Sequence, residues 1–498
     1  MLYEKIIDKF NDIKNIEYSL SLLNWDQSIY MPKTGIDSRA NTMATLTKIG
    51  HSLLISDDFY NLLCEITQND EINKLDDIQQ KEVLKIKEDV EKERKIPISL
   101  ATELSKITSL AMAVWEDAKN NNDDSEFLPI LQKVFDLKKE YAKCIGYKDN
   151  PYDALLNCYD KGLEYSYVKP IFENLEKNLL IILDKIKNST VKIKENFLQK
   201  DFDIKKQWDF GISILKEIGL DANSFRQDSS AHPFTTRIGI DDVRITTRIT
   251  ADNFKSGFFS TIHEGGHCFY ELNACKIFNY SPHGIIESLS LHESQSRFYE
   301  NIIARSLNFW QSYYPQLKEN FNSQLQDISL ETFYNSINKV ELTPIRVESD
   351  EVTYNLHIIL RSQIENSIIN NEIDVFDIEE FWNEKTKKIL GFHPSKKNEG
   401  YLQDIHWSCG LFGYFPTYAL GNLISAQFYY KMLDDIGISQ KIDQSYFNKI
   451  YQWFNKNLYS KGSIYPSKDV VQMITNEELN SDYFIKYLDD KFSKIYNF

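Results

Sequence analysis

The chain has 498 residues and a formal net charge of −16 at pH 7. It contains no long run of Lys or Arg with interleaved aromatic residues, which argues against a nucleic-acid surface, and anionic membranes would repel it. Apolar residues make up 42% of the chain, enough for a sizeable core, yet no stretch of about 18 apolar residues is present. The sequence therefore predicts a soluble protein without a membrane span.

The amino-terminal segment, residues 1–20, alternates charged and apolar residues. It lacks the apolar stretch and small cleavage-site residues of a secretory signal, so it is predicted to be an amphipathic helix. The cysteines are spread thinly and form no CxxC pair, which favours reduced thiols in a cytoplasm. They are Cys64, Cys144, Cys158, Cys268, Cys275 and Cys409.

Long segments with apolar residues at helical spacing fill most of the chain, for example residues 76–95 and 376–392. No repeat of fixed period, Gly/Ser linker or low-complexity tract marks a boundary. The sequence therefore predicts a mainly α-helical fold in a single domain spanning residues 1–498, built either as one unit or as two helical lobes that flank a cleft.

Residues 232–250 break the helical pattern, because Ile, Thr, Arg and Val alternate around Asp241 and Asp242. This alternation predicts two short strands joined by a turn. An extended peptide can add to an exposed strand edge through main-chain hydrogen bonds. A purely structural hairpin explains the pattern equally well.

The segment His263-Glu264-Gly265-Gly266-His267 directly follows this hairpin region. Two imidazoles four positions apart on a helix face the same way and can bind one divalent metal, with Glu264 within reach of the water that the metal activates. Cys268 points roughly 100° away from His267 and is expected to be a buried structural thiol. Gly265 and Gly266 each cost about 1 kcal/mol relative to Ala in a helix, which predicts a close approach of neighbouring backbone or substrate.

A catalytic zinc site needs a third protein ligand. Residues 284–310 are predicted to form a second amphipathic helix, on which Glu287, Glu293 and Glu300 are candidates. Glu293 stands 26 positions after His267, which leaves room for a loop and an antiparallel return. The predicted metal ligands are therefore His263, His267 and Glu293, although a surface carboxylate is the alternative for Glu293. His292 cannot face the same way and is expected to make a supporting or core hydrogen bond.

Beyond the HExxH segment, five motifs follow in order along the chain: HPF at 232–234, DxRxT at 242–246, HESQ at 292–295, IRxxAD at 345–350 and GxxQDxHW at 400–407. With these motifs the chain resembles the M32 metallocarboxypeptidases, the family of the thermostable Taq carboxypeptidase, over nearly its whole length. Looser likeness is found at residues 25–26, 31–32, 151–156 and 413–418. Ser349 departs from the family pattern, which usually has Ala there, and Asn157 and Lys161 replace commoner residues.

The resemblance implies a metal-dependent carboxypeptidase that releases single amino acids from peptide carboxyl termini, with broad side-chain preference and poor release of terminal Pro. It implies a helical gluzincin-type fold with a deep central groove, and a homodimer. One divalent metal per subunit is expected. Zinc is the first choice, and cobalt or manganese is an alternative because two imidazoles and a carboxylate accept several ions.

The reaction assigns roles to individual residues. Glu264 is expected to act as general base and then as general acid. Arg346 is the candidate for the substrate's terminal carboxylate, because a guanidinium binds a carboxylate through a forked pair of hydrogen bonds. The preceding Thr343-Pro344 predicts that Arg346 lies near a helix amino terminus. The alternative is an ion pair of Arg346 with Glu348 or Asp350.

His406 and Tyr418 are the candidate donors to the oxyanion, with Tyr414 as the alternative to Tyr418. Gln403 is expected to assist substrate binding. A strand places three further side chains on one face, where they contact substrate or fix the hairpin against the metal helix. These are Asp242, Arg244 and Thr246.

Two other functions compete with this prediction. An oligopeptidase or a dipeptidyl carboxypeptidase also combines HExxH with a distal Glu on a helical cleft. A non-catalytic, metal-stabilised interaction protein is less consistent with the sequence, because a structural metal site has no use for Glu264 as a general base.

Overall fold

A computed structural model describes residues 2–68, 70–278, 281–437, 439 and 441–498, and the side chain of Cys275 lies outside the described part. The fold is mainly helical. The α-helices are α1 Leu2–Ile29, α2 Ile36–Leu54, α3 Asp57–Gln68, α4 Asp77–Arg94, α5 Ile98–Asn121, α6 Phe127–Ile145, α7 Pro151–Leu156, α8 Tyr165–Lys187, α9 Ile204–Ile218, α10 Phe254–Phe278, α11 Leu289–Arg297, α12 Leu307–Asn320, α13 Asn322–Leu325, α14 Leu330–Ile337, α15 Tyr354–Ile369, α16 Ile378–Leu390, α17 Phe415–Ile436, α18 Gln444–Asn457, α19 Ser467–Thr475 and α20 Asp482–Tyr496.

Short helical turns of other types connect several of these helices. A π-helix covers Phe298–Ala304. The 3₁₀ turns are Lys33–Gly35, Ile72–Lys74, Asn196–Gln199, Pro282–Gly284, Arg346–Glu348, Val375–Asp377 and Tyr459–Lys461.

A three-stranded sheet lies beside α10. Its strands are β1 Phe225–Ser229, β2 Thr235–Gly239 and β3 Asp242–Thr247, in the spatial order β1-β3-β2. The antiparallel pair β2–β3, with Thr235 opposite Ile245, confirms the predicted hairpin. The parallel strand β1, with Phe225 opposite Val243, was not predicted.

Three of the predicted helices are present. The amino-terminal helix extends further than predicted, to Ile29. Helix α4 fills the predicted segment 76–95 and begins with a capping box, in which the Asp76 side chain accepts from the Gln79 backbone and the Gln79 side chain accepts from the Asp76 backbone. Helix α16 occupies most of residues 376–392.

The prediction of one continuous helix over residues 284–310 is wrong, because this segment contains three separate helical elements. Ser288 caps α11 by accepting a hydrogen bond from the backbone N–H of Leu291, so the helix begins only at Leu289. The helix continues as the π-helix from Phe298. Helix α12 is a separate element that begins at Leu307, and Ser306 caps it by accepting from the backbone N–H of Phe309. Hydrophobic spacing predicted helical structure here, but it could not predict the break in hydrogen-bond register.

The buried apolar residues form two clusters. The larger runs from Ile107 to Tyr496 and surrounds α10, α11 and α17. The smaller joins α1, α3 and α4 around Ile6, Leu63 and Val83. Division into one domain or two lobes stays a prediction. None of the helices in the described part of the chain has the length and apolar character that a membrane span requires.

Candidate metal centre

Two helices bring the three predicted metal ligands together. Helix α10 carries His263 and His267, and α11 carries Glu293. The Oε2 atom of Glu293 lies 3.7 Å from Nε2 of His263 and 3.4 Å from Nε2 of His267. All three ligand atoms lie within 4.8 Å of one another. This spacing allows one cation to contact all three.

The outer nitrogen of each imidazole has a partner that fixes the ring. Nδ1 of His263 lies 2.9 Å from Oε2 of Glu300, and Nδ1 of His267 lies 3.1 Å from the carbonyl oxygen of His292. Both partners are acceptors, so each Nδ1 carries the proton and each Nε2 presents its lone pair to the shared centre. Such outer partners are typical of histidines that bind metal.

Glu293 is held as a carboxylate. Its side chain is buried, and Nε of Arg297 donates to Oε1 at 2.6 Å, which leaves Oε2 directed at the imidazoles. Burial alone would raise the pKa of Glu293, but Arg297 and His263 outweigh burial and hold this pKa far below its usual range. The donor set therefore presents a buried anion with two imidazole nitrogens.

The charges around His263 also fit a cation. Burial alone would lower the pKa of His263, but Glu293 and Glu300 reverse the direction and raise this pKa. The negative charge that favours a proton on His263 equally favours a metal cation. Two nitrogens and one oxygen, all buried and oriented, match the ligand chemistry of zinc and related divalent ions.

Glu264 lies next to this centre and is 7% exposed. Burial raises the pKa of its carboxyl group. The hydroxyl of Thr235 on β2 donates to Oε2 of Glu264 at 2.6 Å. A buried carboxyl group with a raised pKa, beside a candidate metal site, is suited to accept and return a proton.

Gly266 allows α10 and α11 to pack closely. A methyl group at this position would lie 2.7 Å from the carbonyl oxygen of Gln295 and from Cα of Ser296. The close approach predicted at Gly266 is therefore made by the backbone of α11. At Gly265 the prediction of backbone or substrate is wrong, because the neighbour is the side chain of Leu215 on α9. Cys268, on the other side of α10, is fully buried and makes no disulfide.

Arg346 lies at the wall of a cavity of 610 Å³ that His263 also lines. The predicted helix amino terminus is wrong, and the alternative ion pair with Glu348 or Asp350 is not the contact found. Arg346 begins a three-residue 3₁₀ turn rather than an α-helix. Its carboxylate partner is Asp404, with Nη2 to Oδ1 at 2.8 Å, and not Glu348 or Asp350. Helix α15 begins only at Tyr354, whose hydroxyl accepts from Nη1 of Arg346 at 3.1 Å.

Gln403 and Asp404 hold Arg346 from the GxxQDxHW segment. The side-chain oxygen of Gln403 accepts from the backbone N–H of Arg346 at 2.8 Å. Asp404 also accepts from Nε of Arg361 at 2.7 Å, so one carboxylate lies between two guanidinium groups. Gln403 therefore contacts the backbone of Arg346 and supports the turn that carries it. Its predicted part in substrate binding stays a prediction.

His406 and Tyr418 lie next to each other, with Nε2 3.3 Å from the tyrosine hydroxyl. Burial lowers the pKa of His406 to about 4, so the ring is neutral at pH 7. The Tyr414 ring lies 5.3 Å from the Tyr418 ring. Burial, and then the charge of Glu293, raises the pKa of Tyr414, so both tyrosines remain protonated donors.

Comparison with known proteins identifies the family. The family model for Carboxypeptidase Taq (M32) metallopeptidase matches residues 4–492. The chain belongs to the M32 metallocarboxypeptidase family. Thermostable carboxypeptidase 1 of Pyrococcus furiosus is 38% identical over 493 residues, which cover 98% of each chain. Carboxypeptidase 1 of Bacillus subtilis is 35% identical, with 99% of each chain covered.

Solved structures agree with this assignment. A crystal structure of the M32 carboxypeptidase from Deinococcus radiodurans R1 matches with a TM-score of 0.96 at 29% identity, over 100% of both chains. The protein is therefore a metallocarboxypeptidase, a hydrolase with the helical M32 fold.

The side chains of the DxRxT motif make hydrogen bonds and ring contacts within the protein. Arg244 forms a fork with Asp242, at 3.0 and 2.8 Å, and its guanidinium lies 4.2 Å from the centre of the Trp25 ring. Thr246 is fully buried, and its hydroxyl accepts from the backbone N–H of Phe234. Of the two roles predicted for Asp242, Arg244 and Thr246, these contacts favour fixing the hairpin. Contact of these residues with substrate stays a prediction.

Sequence reasoning missed several residues of this M32 site. Thr235 follows the HPF motif directly, but nothing in a sequence shows which hydroxyl reaches Glu264. Glu300 was considered only as a metal ligand, and its contact with Nδ1 of His263 was missed. Its position seven residues after Glu293 places both side chains on the same face of a helix. Glu271, four residues after His267, lies 3.1 Å from Nε2 of His292 and was not considered. Helical spacing could have identified Glu271 and Glu300.

Proposed function

We propose that this M32 enzyme releases one amino acid at a time from the free carboxyl end of peptides, with zinc as the working metal. One observation carries the proposal: the His263 ligand and the Arg346 guanidinium line the same 610 Å³ cavity. A cationic group beside a metal site suits a substrate whose scissile bond lies one residue from a carboxylate.

Glu264 moves the proton in the proposed reaction. His263, His267 and Glu293 would hold a divalent cation, which would supply Lewis acidity for the attacking water and the scissile carbonyl. The carboxylate of Glu264 accepts one proton from the attacking water. It then delivers this proton to the nitrogen of the leaving amino acid, which restores the carboxylate for the next turnover.

Arg346 recognises the terminal carboxylate. Asp404 and Tyr354 accept from three of its N–H groups, which hold the guanidinium plane in one orientation. The remaining N–H groups of Nη1 and Nη2 can pair with a substrate carboxylate in a charge-assisted fork. A pre-oriented guanidinium loses little entropy when it binds substrate.

His406 and Tyr418 stabilise the oxyanion. A neutral imidazole and a protonated phenol are hydrogen-bond donors without net charge, which suits a negative charge that develops only in the transition state. Tyr414 is the alternative donor, supported by the effect of Glu293 on its pKa.

The finer properties rest on the family resemblance, from which we infer broad side-chain preference, poor release of terminal Pro and a homodimer. We infer a cytoplasmic location from the thinly spread cysteines, which favour reduced thiols. Cobalt and manganese are alternative ions, because the ligand set does not discriminate strongly between divalent metals.

Mass spectrometry of a peptide ladder tests the proposed function. We expect successive loss of single residues from the carboxyl end, and little cleavage of the same peptide with an amidated terminus. Arg346→Lys keeps a positive charge beside Asp404 but removes the fork, so KM for the free peptide should rise about tenfold or more. Arg361→Lys is the matched control, since it changes the other guanidinium on Asp404 and should leave KM nearly unchanged.

Other products would favour other functions. Release of dipeptides or internal cuts would indicate a dipeptidyl carboxypeptidase or an oligopeptidase. Equal cleavage of free and amidated peptides would contradict the role of Arg346.

A further inference from the structure

Thr235 connects the strand β2 to the general base. Its hydroxyl oxygen lies 2.6 Å from Oε2 of Glu264 and 3.1 Å from the backbone carbonyl oxygen of the same residue. The first distance is that of a strong hydrogen bond to a carboxylate. The hydroxyl proton therefore points to Oε2.

This contact limits the motion of the Glu264 carboxylate. The last torsion of a glutamate side chain is broad, so a free carboxylate turns easily between orientations. A donor on Oε2 fixes the plane of the group and leaves Oε1 available to the attacking water. Since proton transfer depends on short, aligned contacts, such restriction raises the fraction of productive geometry.

The strand that carries Thr235 is itself anchored on both sides. The backbone N–H of Phe234, just before it, donates to the buried hydroxyl of Thr246 on β3 at 2.9 Å. Two residues after it, Arg237 donates to Glu271 on α10 at 3.2 Å and to the Gly284 carbonyl at 2.8 Å. Thr235 is therefore held in place relative to the metal helix.

The same face of β2 contacts α10 at two points. Thr235 and Arg237 lie two residues apart on the strand, and their partners Glu264 and Glu271 lie seven residues apart on the helix. Both spacings return side chains to one face. The contact of Thr235 with Glu264 thus belongs to the docking of the sheet on α10, and it does not depend on a mobile loop.

We propose that Thr235 is a positioning residue for the general base, a role that rests on the proposed function of Glu264. The hydroxyl keeps its own proton throughout turnover. It holds Oε2 while Oε1 takes one proton from water and gives it to the leaving amine.

Three variants test the proposal on a peptide with a free carboxyl terminus. Thr235→Val has nearly the same shape but no donor, and we expect kcat to fall about tenfold, which is about 1.4 kcal/mol, with KM and zinc content unchanged. Thr235→Ser restores the hydroxyl and should keep kcat within about threefold of the parent. Thr236→Val, on the opposite face of β2, should match the parent.

Several results would overturn the proposal. Parent-like kcat in Thr235→Val would show that the hydroxyl does nothing for catalysis. If kcat fell equally in Thr235→Ser, or if Thr235→Val lost zinc, Thr235 would have only a packing role. Failure of the proposed function is seen separately, as an inactive zinc-loaded parent or as a Glu264→Gln variant with parent activity.

Discussion

At the scale of single residues, three carboxylates at the candidate metal centre have different surroundings. Glu293 accepts from Arg297, Glu300 lies against His263, and Glu264 accepts from the neutral hydroxyl of Thr235. Of these three, only Glu264 has a raised pKa. This difference in environment is consistent with the proposed roles of Glu264 as base, Glu293 as ligand and Glu300 as a support for His263.

Glu264→Gln is expected to keep zinc and lose turnover. The amide has almost the same shape and still accepts from Thr235, but it cannot take a proton from water. We expect kcat to fall by about 10²- to 10⁴-fold, measured by amino-acid release, with zinc content measured by mass spectrometry. Glu65→Gln, at an exposed position on α3, is the control. Turnover at the parent rate would exclude Glu264 as the base.

The three proposed metal ligands, which the structure brings together, could be selected from the sequence because metal binding imposes a spacing on its ligands. Two histidines at helical spacing require a third ligand, and Glu293 stood at a suitable distance downstream. Thr235 and Asp404 could not be predicted in the same way. Each reaches its partner across 29 or 58 residues of chain, and no local spacing records such contacts.

At the scale of elements, three helices meet at the proposed metal ligand Glu293. Gly266 on α10 allows the close approach of α11, and Gly421 on α17 lies against Glu293 from the other side. A methyl group at Gly421 would lie 2.5 Å from Cγ of Glu293. The close packing of α11 and α17 therefore restricts the side chain that is proposed to complete the metal set.

Gly421→Ala is expected to weaken zinc binding by about 10- to 100-fold, since the added methyl group displaces the Glu293 side chain. The affinity is measured by competition with a chromogenic chelator. Gly35→Ala is the control, because a methyl group there meets Met31 at an ordinary 3.6 Å. Parent-like zinc affinity in Gly421→Ala would show that Glu293 can move aside without cost.

The carboxylate of Asp404 joins the Arg346 turn to α15 through Arg361. Burial alone would raise the pKa of Asp404, but the two guanidinium groups hold this pKa below its usual range. A pKa lowered by folding stabilises the fold above the unfolded value of about 3.9. This stabilisation is lost as the pH falls below that value.

Asp404→Asn should therefore lower the free energy of unfolding by about 3–5 kcal/mol at pH 7, because two buried guanidinium groups lose their counter-charge. The deficit relative to the parent should shrink as the pH falls below about 4. Urea unfolding at several pH values measures it, with the exposed Asp58→Asn as control. A deficit that is independent of pH would contradict this electrostatic explanation.

Element boundaries show where sequence patterns stop being informative. The capping box at Asp76 and Gln79 is local, and α4 begins directly after Asp76 within the segment that apolar spacing predicted to be helical. The π-helix after Arg297 and the parallel pairing of β1 depend on the residues packed around them. Apolar spacing is similar in either case, so residues 284–310 were predicted as one helix.

At the scale of the whole molecule, the helices surround a cavity that both the candidate metal ligand His263 and Arg346 line. Length, charge and helical spacing predicted a large helical protein, and the motifs predicted the M32 family, which is confirmed. The cavity arises from the packing of distant segments, among them Glu195, Asn253 and Phe492. The spacing of residues along the chain could not predict which side chains line this cavity.

The most direct test of the account is anomalous diffraction at the zinc edge from crystals grown with zinc. The account predicts one strong peak per chain, about 2.0–2.2 Å from Nε2 of His263, Nε2 of His267 and a carboxylate oxygen of Glu293. A peak bound elsewhere, or a Glu293 carboxylate turned away from the ion, would contradict it.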